Sequence, residues 1–495
     1  MIMVGYSALF RLIVPEVIVV IAALSVLTVD LLFMRGAAIR ARFAIGAAIS
    51  CIGCIGAIVW LTIAPQQANV FDGMLVISPQ TQLVQIALLV LTIFVISISI
   101  ESTFTTNVGE YLALILIATI GMMFLVASQN ILLIFISLEL LSLSLYILAA
   151  FDKHSGQSAE AALKYFLFGG ASAAFTLFGL SLVYGLSGST NLTRIADATR
   201  SSSLDPLLAV AIVMTVVGFG FKVAAVPFHF WAPDVYEGAP TSSAALIASS
   251  AKFAGLIIFY QVMVIGFAGA KGSSAWGSRV PGWVPVIALV AALSIVLGNL
   301  VAIMQTSVRR LLAYSAIAHV GYMLLALVSH TEQSFGALLY YALTYALTTI
   351  GAFAVVAVVE AKIGGDRLSD FSGLSRRAPV LSFCMLIFLL SLAGIPPLAG
   401  FFGKFYLFTS TLAAEPKTFG LLWLVILAIA MSAVSLYYYL QVLKRIYIVD
   451  APAEAGAIQT SVVIQIAICF IAFSVALLGC APNILLDRLQ LAIQH

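Results

Sequence analysis

The stretch VVGFGFKVAAVPFHFWAPDVYEGAP at residues 216–240 decides how this chain is interpreted. Lys222 lies in an apolar run that continues beyond it, with Pro227 five residues later and then Pro233. Proline removes a helix hydrogen bond and frees carbonyl groups, which in a membrane must be satisfied by protein or by water. The stretch therefore predicts a membrane helix that breaks beside a lysine, next to a small hydrated cavity.

The composition of the whole chain supports this membrane interpretation. Its 495 residues are 63% hydrophobic and 9% charged, with a net charge of +3, and the mean hydropathy is +1.15. A soluble domain usually carries about 25% charged residues, so the charges here are too few to cover a water-exposed surface. A soluble enzyme, a disordered chain and a nucleic-acid-binding protein with a strongly basic face are excluded.

Apolar runs long enough to cross a bilayer follow one another almost without pause. A spanning helix needs roughly 20 mostly apolar residues, and continuous runs favour helices over the alternating strands of a barrel. We therefore predict an all-α polytopic membrane protein with about 14 transmembrane helices. The predicted spans are 14–34, 43–64, 79–100, 111–128, 130–151, 158–185, 206–226, 241–267, 284–305, 311–329, 334–360, 380–411, 420–447 and 461–485.

Several charged residues lie inside these spans, where charge is costly. A lysine at mid-helix opposes insertion by about 2.5–3.5 kcal/mol, so such residues are functional candidates. Lys222, Lys252 and Lys404 carry this argument best, whereas Lys164 lies near the end of its span and is also compatible with a lysine that snorkels to the surface. Glu139 is interpreted as a proton-carrying carboxylate, with a structural partner for one lysine as the alternative.

These residue types can pass protons among themselves. A lysine in apolar surroundings releases its proton more readily than an exposed lysine, and a nearby carboxylate opposes that release. Moving or hydrating one partner then decides whether the lysine keeps its proton. His229 and His319 are further candidates because imidazole titrates near neutrality, although a lone histidine in a helix is more often simply hydrogen-bonded.

A second broken span reverses the order of the first. In SLAGIPPLAGFFGKF, residues 391–405, Pro396 and Pro397 precede Lys404, whereas Pro227 follows Lys222. Broken helices in corresponding places of two halves are typical of inverted repeats around a midplane site. We therefore predict broken helices near 206–236 and 380–411, an N-terminal three-helix unit at 1–110, two inverted five-helix repeats at 111–267 and 284–447, and a C-terminal helix at 448–495.

Motifs for nucleotides or redox centres do not occur in the sequence. It contains no Walker loop, no G-x-G-x-x-G that opens a βαβ unit and no array of paired C-x-x-C motifs. Energy for ion movement would therefore come from an ion gradient, or from partner subunits that carry out redox or ATP chemistry.

The motifs resemble those of a known family. PFHFWAPDVYEGAPTSSAALIAS at 227–249 and SLAGIPPLAGFFGKF at 391–405, with Glu139 and Lys222, are similar to the antiporter-like membrane subunits of respiratory complex I, the proton-pumping NADH:quinone oxidoreductase. The resemblance covers essentially the whole chain. The Val-Tyr pair in the first motif and Lys404 in the second favour the subunit N branch of this family.

The resemblance implies broken seventh and twelfth helices and a proton path along a central hydrophilic axis. By motif matching, Glu139, Lys164, Lys222, Lys252 and Lys404 resemble charged residues of the family's fifth, sixth, seventh, eighth and twelfth helices. It implies no cofactor in this subunit, since NADH, FMN, Fe–S clusters and quinone belong to partner subunits. The implied partners are other membrane subunits, indirectly the peripheral redox arm, and the lipid bilayer, but no nucleic acid.

Basic residues in short loops predict the orientation. More Lys and Arg lie on the side of the loop with Arg35, Arg40 and Arg42 than on the opposite side, and such loops face the cytoplasm. We therefore expect a multi-pass protein of the bacterial cytoplasmic (inner) membrane with both termini in the periplasm.

The favoured hypothesis is a proton-translocating subunit that moves protons along buried Lys, Glu, His and water, driven by redox chemistry in its partners. Two other functions remain open. A subunit of a multisubunit cation/proton antiporter would share the fold and would show sodium-dependent transport. A structural scaffold of the membrane arm would tolerate neutral replacement of single buried lysines.

Overall fold

The computed structural model describes residues 10–64, 66–200, 205–415, 419–451 and 456–494. Among these residues, 13 helices are long and apolar enough to cross a membrane. One further segment consists of two shorter helices, Pro379–Ala393 and Ala399–Ala413, which are separated by the two consecutive prolines. The prediction of an all-α polytopic protein with about 14 spans is confirmed.

The helices of the first half follow the predicted spans within a few residues. In chain order they are α1 (Val14–Phe33), α2 (Ile39–Ile63), α3 (Pro79–Ser99), α4 (Val108–Val126), α5 (Ile131–Ala149), α6 (Gly156–Ser187), the short α7 (Leu192–Thr199), α8 (Pro206–Val223), the short α9 (Trp231–Gly238), α10 (Thr241–Ala248) and α11 (Ser250–Gln261).

The second half continues in the same way. Its helices are α12 (Trp283–Ala302), α13 (Val308–Ser329), α14 (Glu332–Ile363), the single turn α15 (Leu374–Arg377), α16 (Pro379–Ala393), α17 (Ala399–Ala413), α18 (Leu422–Tyr447), α19 (Val462–Cys480) and α20 (Asn483–Gln494). The predicted C-terminal region at 448–495 thus contains two helices, α19 and α20.

A small hairpin lies between α2 and α3. Strands β1 (Ala68–Val70) and β2 (Leu75–Ile77) pair antiparallel, with Ala68 opposite Ile77. The backbone N–H of Val76 donates to Ala127 O at 2.7 Å, which ties the hairpin to the connection between α4 and α5. The apolar-run argument did not predict this hairpin because its strands are only three residues long.

Both predicted helix breaks are present. Helix α8 ends at Val223 because Ala224 adopts a left-handed conformation with φ of 61°, so the chain leaves the helix before Pro227. Helix α16 ends at Ala393, and Gly394 follows with φ of 85°. Left-handed residues commonly end helices, and glycine adopts that conformation without a steric penalty.

The span predicted at 241–267 is not continuous. Ser249, with φ of −115° and ψ of −85°, separates α10 from α11, and α11 passes into a π-helical turn at Val262–Gly266. The Ser249 hydroxyl donates to Ala245 O at 2.5 Å. Such side-chain bonds compete with the helix ladder, and hydropathy alone gives no signal for them.

The central helices carry most of the buried surface. The apolar window of α10–α11 is wholly buried and those of α13 and α14 nearly so, whereas about a third of each window is buried in α1, α2, α6, α18 and α19. The outer helices therefore leave most of their apolar surface exposed on the outside of this chain. Lys252 on α11 and His319 on α13 lie in the middle of the protein rather than on its rim.

Candidate functional site

The first cluster joins α5 and α8 around Lys222. Its ammonium donates to Ser142 Oγ at 3.0 Å. Glu139 lies one helical turn before Ser142, and all three residues line a cavity of about 20 Å³ together with Tyr146 and Thr176, which is room for about one water. Within the described residues Glu139 forms no direct ion pair, so the carboxylate and the ammonium share a cavity without touching.

Lys252 is the second buried amine, on α11. It is 1% exposed, and its ammonium lies 5.3 Å from the centre of the Tyr236 ring on α9. A cation over an aromatic face is attracted by the ring quadrupole. Neither this ammonium nor the hydroxyls of Tyr236 and Ser250 has a hydrogen-bond partner among the described residues. Buried polar groups of this kind are normally satisfied by ordered water.

The first two amines lie along one helix interface. A Cβ atom placed on Gly255 would meet Lys222 Cγ at 3.5 Å, so α11 packs directly on the stem of Lys222. Gly255 and Lys252 are three residues apart and therefore lie on the same face of α11. The structure thus brings Lys222 and Lys252 to the same contact between α8 and α11.

Lys404 lies at the second helix break. Its ammonium donates to Leu392 O and Ala393 O, both at 3.0 Å, and to Ser432 Oγ on α18 at 2.8 Å. The two carbonyls belong to the last residues of α16, whose terminal carbonyls have no intrahelical donor. The ammonium also lies 5.1 Å from the ring centre of Tyr322.

His319 on α13 connects the middle of the chain to this second cluster. Its Nδ1 lies 2.6 Å from the Tyr341 hydroxyl and its Nε2 lies 3.2 Å from that of Tyr439. The ring also packs edge-on against Tyr322 at 5.7 Å, the residue whose face lies beneath Lys404. Tyr322 therefore joins His319 to Lys404, since its ring contacts both side chains.

A side branch of polar groups leaves Tyr322. Asn299 Nδ2 donates to the Tyr322 hydroxyl at 3.0 Å, and Asn299 Oδ1 accepts from Tyr438 at 3.0 Å. The sequence argument missed these tyrosines and Asn299 because an aromatic residue in an apolar span is ordinarily a packing residue. The adjacent tyrosines at 437–439 were the one available signal.

Lys164 lies apart from the buried amines. Its ammonium pairs with Glu160 and Asp234, both at 2.7 Å, and its side chain is 39% exposed. Asp234 also pairs with Arg310 at 2.9 Å, and Arg310 pairs with Glu237 at the same distance. Lys164 therefore belongs to an ionic network around α9, in keeping with its position near a helix end.

His229 and the three prolines lie in the breaks. The His229 ring is buried beside Phe230, with ring centres 4.5 Å apart, and its Nδ1 has no partner in the part of the chain that the structure describes. Pro227 lies between α8 and α9, while Pro396 and Pro397 lie between α16 and α17. Among the described residues, His229 forms no hydrogen bond with a lysine.

Two acidic residues of α1 were missing from the sequence-based set. Glu16 is 3% exposed and accepts from Gln85 at 2.8 Å. Asp30 forms a bidentate pair with Arg42 at 2.7 and 2.6 Å, and it also accepts from the backbone of Gly109 at 2.8 Å. Both carboxylates lie near the ends of α1. Glu16 connects α1 to α3, and Asp30 connects α1 to α2 and α4.

A metal centre is not supported. Within the described residues, no group of three or more His, Cys, Asp or Glu side chains is arranged to hold a metal ion. The chemistry that the site offers is proton binding and release by amines, an imidazole, a carboxylate and hydroxyl groups.

Known proteins resemble this chain over nearly its full length. A family model described as NADH:quinone oxidoreductase/Mrp antiporter, TM, matches residues 128–432. The NADH-quinone oxidoreductase subunit N 2 of Acidobacterium capsulatum is 53% identical, over 98% of this chain and 99% of that protein. The subunit N of Desulforamulus reducens is 39% identical, over 86% of this chain and 87% of its own length.

Solved structures show the same similarity. A chain of respiratory complex I from Thermus thermophilus with bound aureothin is 32% identical, with a TM-score of 0.77 and coverage of 96% of this chain and 98% of that one. A chain of the Mrp complex from a Dietzia species reaches a TM-score of 0.81 at 18% identity, with coverage of 98% and 97%. At that identity the second similarity concerns the fold alone.

Proposed function

Because the chain belongs to the NADH:quinone oxidoreductase/Mrp antiporter transmembrane family, we propose that it is the proton-translocating membrane subunit of an NADH:quinone oxidoreductase. One observation carries this proposal. Three lysines and a histidine are almost completely buried near the breaks and central helices of a membrane protein, where they have mostly polar or aromatic neighbours rather than carboxylate partners. Intramembrane ionisable groups of this kind mark proton relays.

The proposed route begins at Glu139. Its proton equilibrates with Lys222 through the shared cavity, which Ser142 also lines while it accepts a hydrogen bond from Lys222. The proton then moves to Lys252 along the α8–α11 contact. Among the described residues the Lys252 ammonium has no hydrogen-bond acceptor, so water serves as the intermediate there.

The second part of the route runs through His319 to Lys404. The two ring nitrogens of His319 contact different tyrosine hydroxyls, so the ring is able to take a proton on one side and release it on the other. Lys404 is the last amine of the line. Lys164 and His229 flank the route: the first sets the charge around α9, and the second lies in the break after α8.

The driving force comes from partners in this proposal. The similar proteins are named as subunits of NADH-quinone oxidoreductase, and the chemistry of that name requires NADH and a quinone. Flavin, Fe–S clusters and quinone would be held by partner subunits, which shift the Glu139–Lys222 arrangement through the membrane arm. Loosening that arrangement favours release of the proton from Lys222.

We also propose the topology. The protein lies in the bacterial inner membrane with both termini in the periplasm, supported by the excess of Lys and Arg in the loops on the side of Arg35, Arg40 and Arg42. Repeats at 111–267 and 284–447 are supported by the two breaks, one in each segment. Single cysteines introduced at exposed positions of the α1–α2 and α5–α6 connections should react with a membrane-impermeant thiol reagent only from the cytoplasmic side.

Replacement of Lys222 tests the function. In a Lys222→Met variant, NADH-driven proton pumping should fall to a small fraction of the normal rate, while native gels show a complete complex. Lys153→Met is the matched control, because the same change is made at an exposed loop lysine. Normal pumping by the fully assembled Lys222→Met complex would refute the proposed role.

The antiporter alternative is favoured by one observation, the matching family model, whose description covers the Mrp antiporter as well as NADH:quinone oxidoreductase. It predicts sodium-dependent proton movement without NADH, and proteins of the Mrp type as copurifying partners. A scaffold is the other alternative, and it predicts that single neutral replacements of Lys222, Lys252 and Lys404 leave pumping intact.

A further inference from the structure

The short helix α9 contacts the backbone next to Lys222 and the ammonium of Lys252. At its start, Trp231 Nε1 donates to Phe221 O at 3.0 Å, the carbonyl directly before Lys222. Near its end, Tyr236 places its ring 5.3 Å from the Lys252 ammonium. A displacement of α9 would therefore change the surroundings of both amines at once.

Arg309 holds the C-terminal end of α9. This residue is 4% exposed and lies at the start of α13, in the second half of the chain. Its Nε donates to Tyr236 O at 2.7 Å, Nη2 donates to Ala239 O, and Nη1 pairs with Glu360 on α14 at 2.9 Å. Thr241 donates to the same carboxylate. Three different nitrogens of one guanidinium thus bind three acceptors, two of them carbonyls at the end of α9.

Arg310 holds the side of the same helix in a simpler way. A single nitrogen, Nη1, contacts both Asp234 and Glu237 at 2.9 Å. Asp234 is also held by Lys164 of α6. The Arg310 side chain is 29% exposed, so part of its contact with the two carboxylates faces water.

We propose that Arg309 and Arg310 are positioning residues that hold α9 in the place where proton transfer between Lys222 and Lys252 occurs. The proposal rests on the proposed function. It adds a physical connection between the first half of the chain, which contains α9, and the second half, which contains α13. The arginines belong to α13, which also carries His319, whereas α9 belongs to the first broken segment. A shift at the start of α13 is transmitted to Lys222 through Trp231 and to Lys252 through Tyr236.

The two arginines predict opposite responses to the same conservative change. Arg309→Lys cannot span the three acceptors, because the donors of an ammonium all lie on one nitrogen, whereas the planar guanidinium donates from three separate nitrogens. Arg310→Lys can keep one cation between the two carboxylates. In the assembled complex, Arg309→Lys should lower proton pumping by about tenfold, and Arg310→Lys should stay within about twofold of the unchanged protein.

The position of α9 is measured directly by amide hydrogen exchange of residues 231–240. Exchange should rise by about tenfold in Arg309→Lys and stay unchanged in Arg310→Lys. Arg376→Lys is the control, because the ion pair of Arg376 with Asp450 is exposed on the surface, with both side chains 80% exposed. Equal losses of pumping in both lysine variants, or normal exchange in Arg309→Lys, would overturn the proposal.

A second variant covers the case in which Arg309→Lys does not assemble. Arg310→Gln removes the cation at a partly exposed position, which tolerates the change better than a buried one. It should assemble, exchange faster at 231–240 and pump less. If the Arg310→Gln complex assembles with unchanged amide exchange at 231–240 and unchanged pumping, the positioning role of Arg310 is contradicted.

The arginine variants and the Lys222→Met variant test separate claims. If Lys222→Met pumps normally, the proposed function fails whatever the arginine variants do. If Lys222→Met stops pumping while the arginine variants pump and exchange like the unchanged protein, the route stands and only the positioning role is wrong.

Discussion

In the first broken segment Lys222 belongs to the helix that ends at the break, whereas in the second Lys404 belongs to the helix that follows it. Lys222 lies in the last turn of α8. Lys404 reaches back to the last two carbonyls of α16. Both ammonium groups therefore lie at the C-terminal end of a helix, where the helix dipole favours a cation. The reversed order of proline and lysine in the sequence produces the same electrostatic position.

The two breaks differ in what satisfies the freed carbonyls. At the second break the lysine itself is the donor. At the first break Trp231 donates to the end of α8, and Arg309 donates to the end of α9. Lys222 is therefore free to interact with Ser142 and Glu139, while Lys404 also holds the backbone together. One lysine is mainly a proton carrier, and the other has a structural role as well.

The largest expected difference comes from removing each amine. Lys404→Met leaves two buried carbonyls without a charged donor, and each such hydrogen bond contributes about 1.5–3 kcal/mol. Lys222→Met loses a single charged hydrogen bond, to Ser142, at a cost of about 1.5–3 kcal/mol, and the Ser142 hydroxyl still bonds Leu138 O at 2.6 Å. We expect Lys404→Met to lower the unfolding temperature of the chain in the purified complex clearly more than Lys222→Met.

Both variants should be compared for subunit content as well as for pumping. Equal thermal stability of the two variants would show that the carbonyl contacts of Lys404 contribute nothing, and the structural distinction between the breaks would then fail. Loss of pumping alone does not decide this point, because both lysines lie on the proposed route.

The sequence predicted the spans and the lysines for a physical reason. A charge inside an apolar run is visible without any structure, and so is a proline beside it. Lys222, Lys252 and Lys404 are accordingly buried. Lys164, which the sequence left open between the surface and the route, forms partly exposed ion pairs.

The contacts between distant elements were not predictable in the same way. Tyr322, Tyr341 and Tyr439 look like packing residues until the fold places them around His319. Arg309 looks like an ordinary loop cation of the positive side, yet it is 4% exposed. Its acceptors are backbone carbonyls, and a sequence carries no signal for which carbonyls a fold leaves free.

Backbone strain at the breaks gives the next comparison. Gly394 and Ala224 both have positive φ, at 85° and 61°. A left-handed conformation costs a non-glycine residue about 1–2 kcal/mol, so Gly394→Ala should destabilise the protein by about that amount and Ala224→Gly should stabilise it by about 0.5 kcal/mol. A Cβ atom at position 394 would also lie 3.1 Å from Lys404 Cδ, so only Gly394→Ala should reduce pumping.

Gly364→Ala separates strain from crowding. Gly364 ends α14 with φ of 83°, and a Cβ atom there would meet nothing within 4 Å. Gly364→Ala should therefore destabilise the protein about as much as Gly394→Ala does, but it should leave proton pumping unchanged. If Gly364→Ala and Gly394→Ala reduce pumping equally, the effect is backbone strain and does not come from displacing Lys404.

Ionic strength should give the smallest difference between the breaks. The pairs around α9, Lys164–Asp234 and Arg310–Glu237, have side chains that are 29–39% exposed, and salt screens such charges. Lys404, in contrast, is 4% exposed and binds neutral oxygens. Exposed pairs contribute about 0.2–1 kcal/mol each, so raising salt from about 0.05 M to about 0.5 M should speed amide exchange at 231–240 about twofold. Amide hydrogen exchange of residues 394–400 should not change.

Asp234→Asn removes the carboxylate that both Lys164 and Arg310 contact, and it should abolish most of the salt response. A salt response of equal size at both breaks would mean that the ion pairs do not hold α9, and that Arg309 and its carbonyl acceptors hold the helix without them.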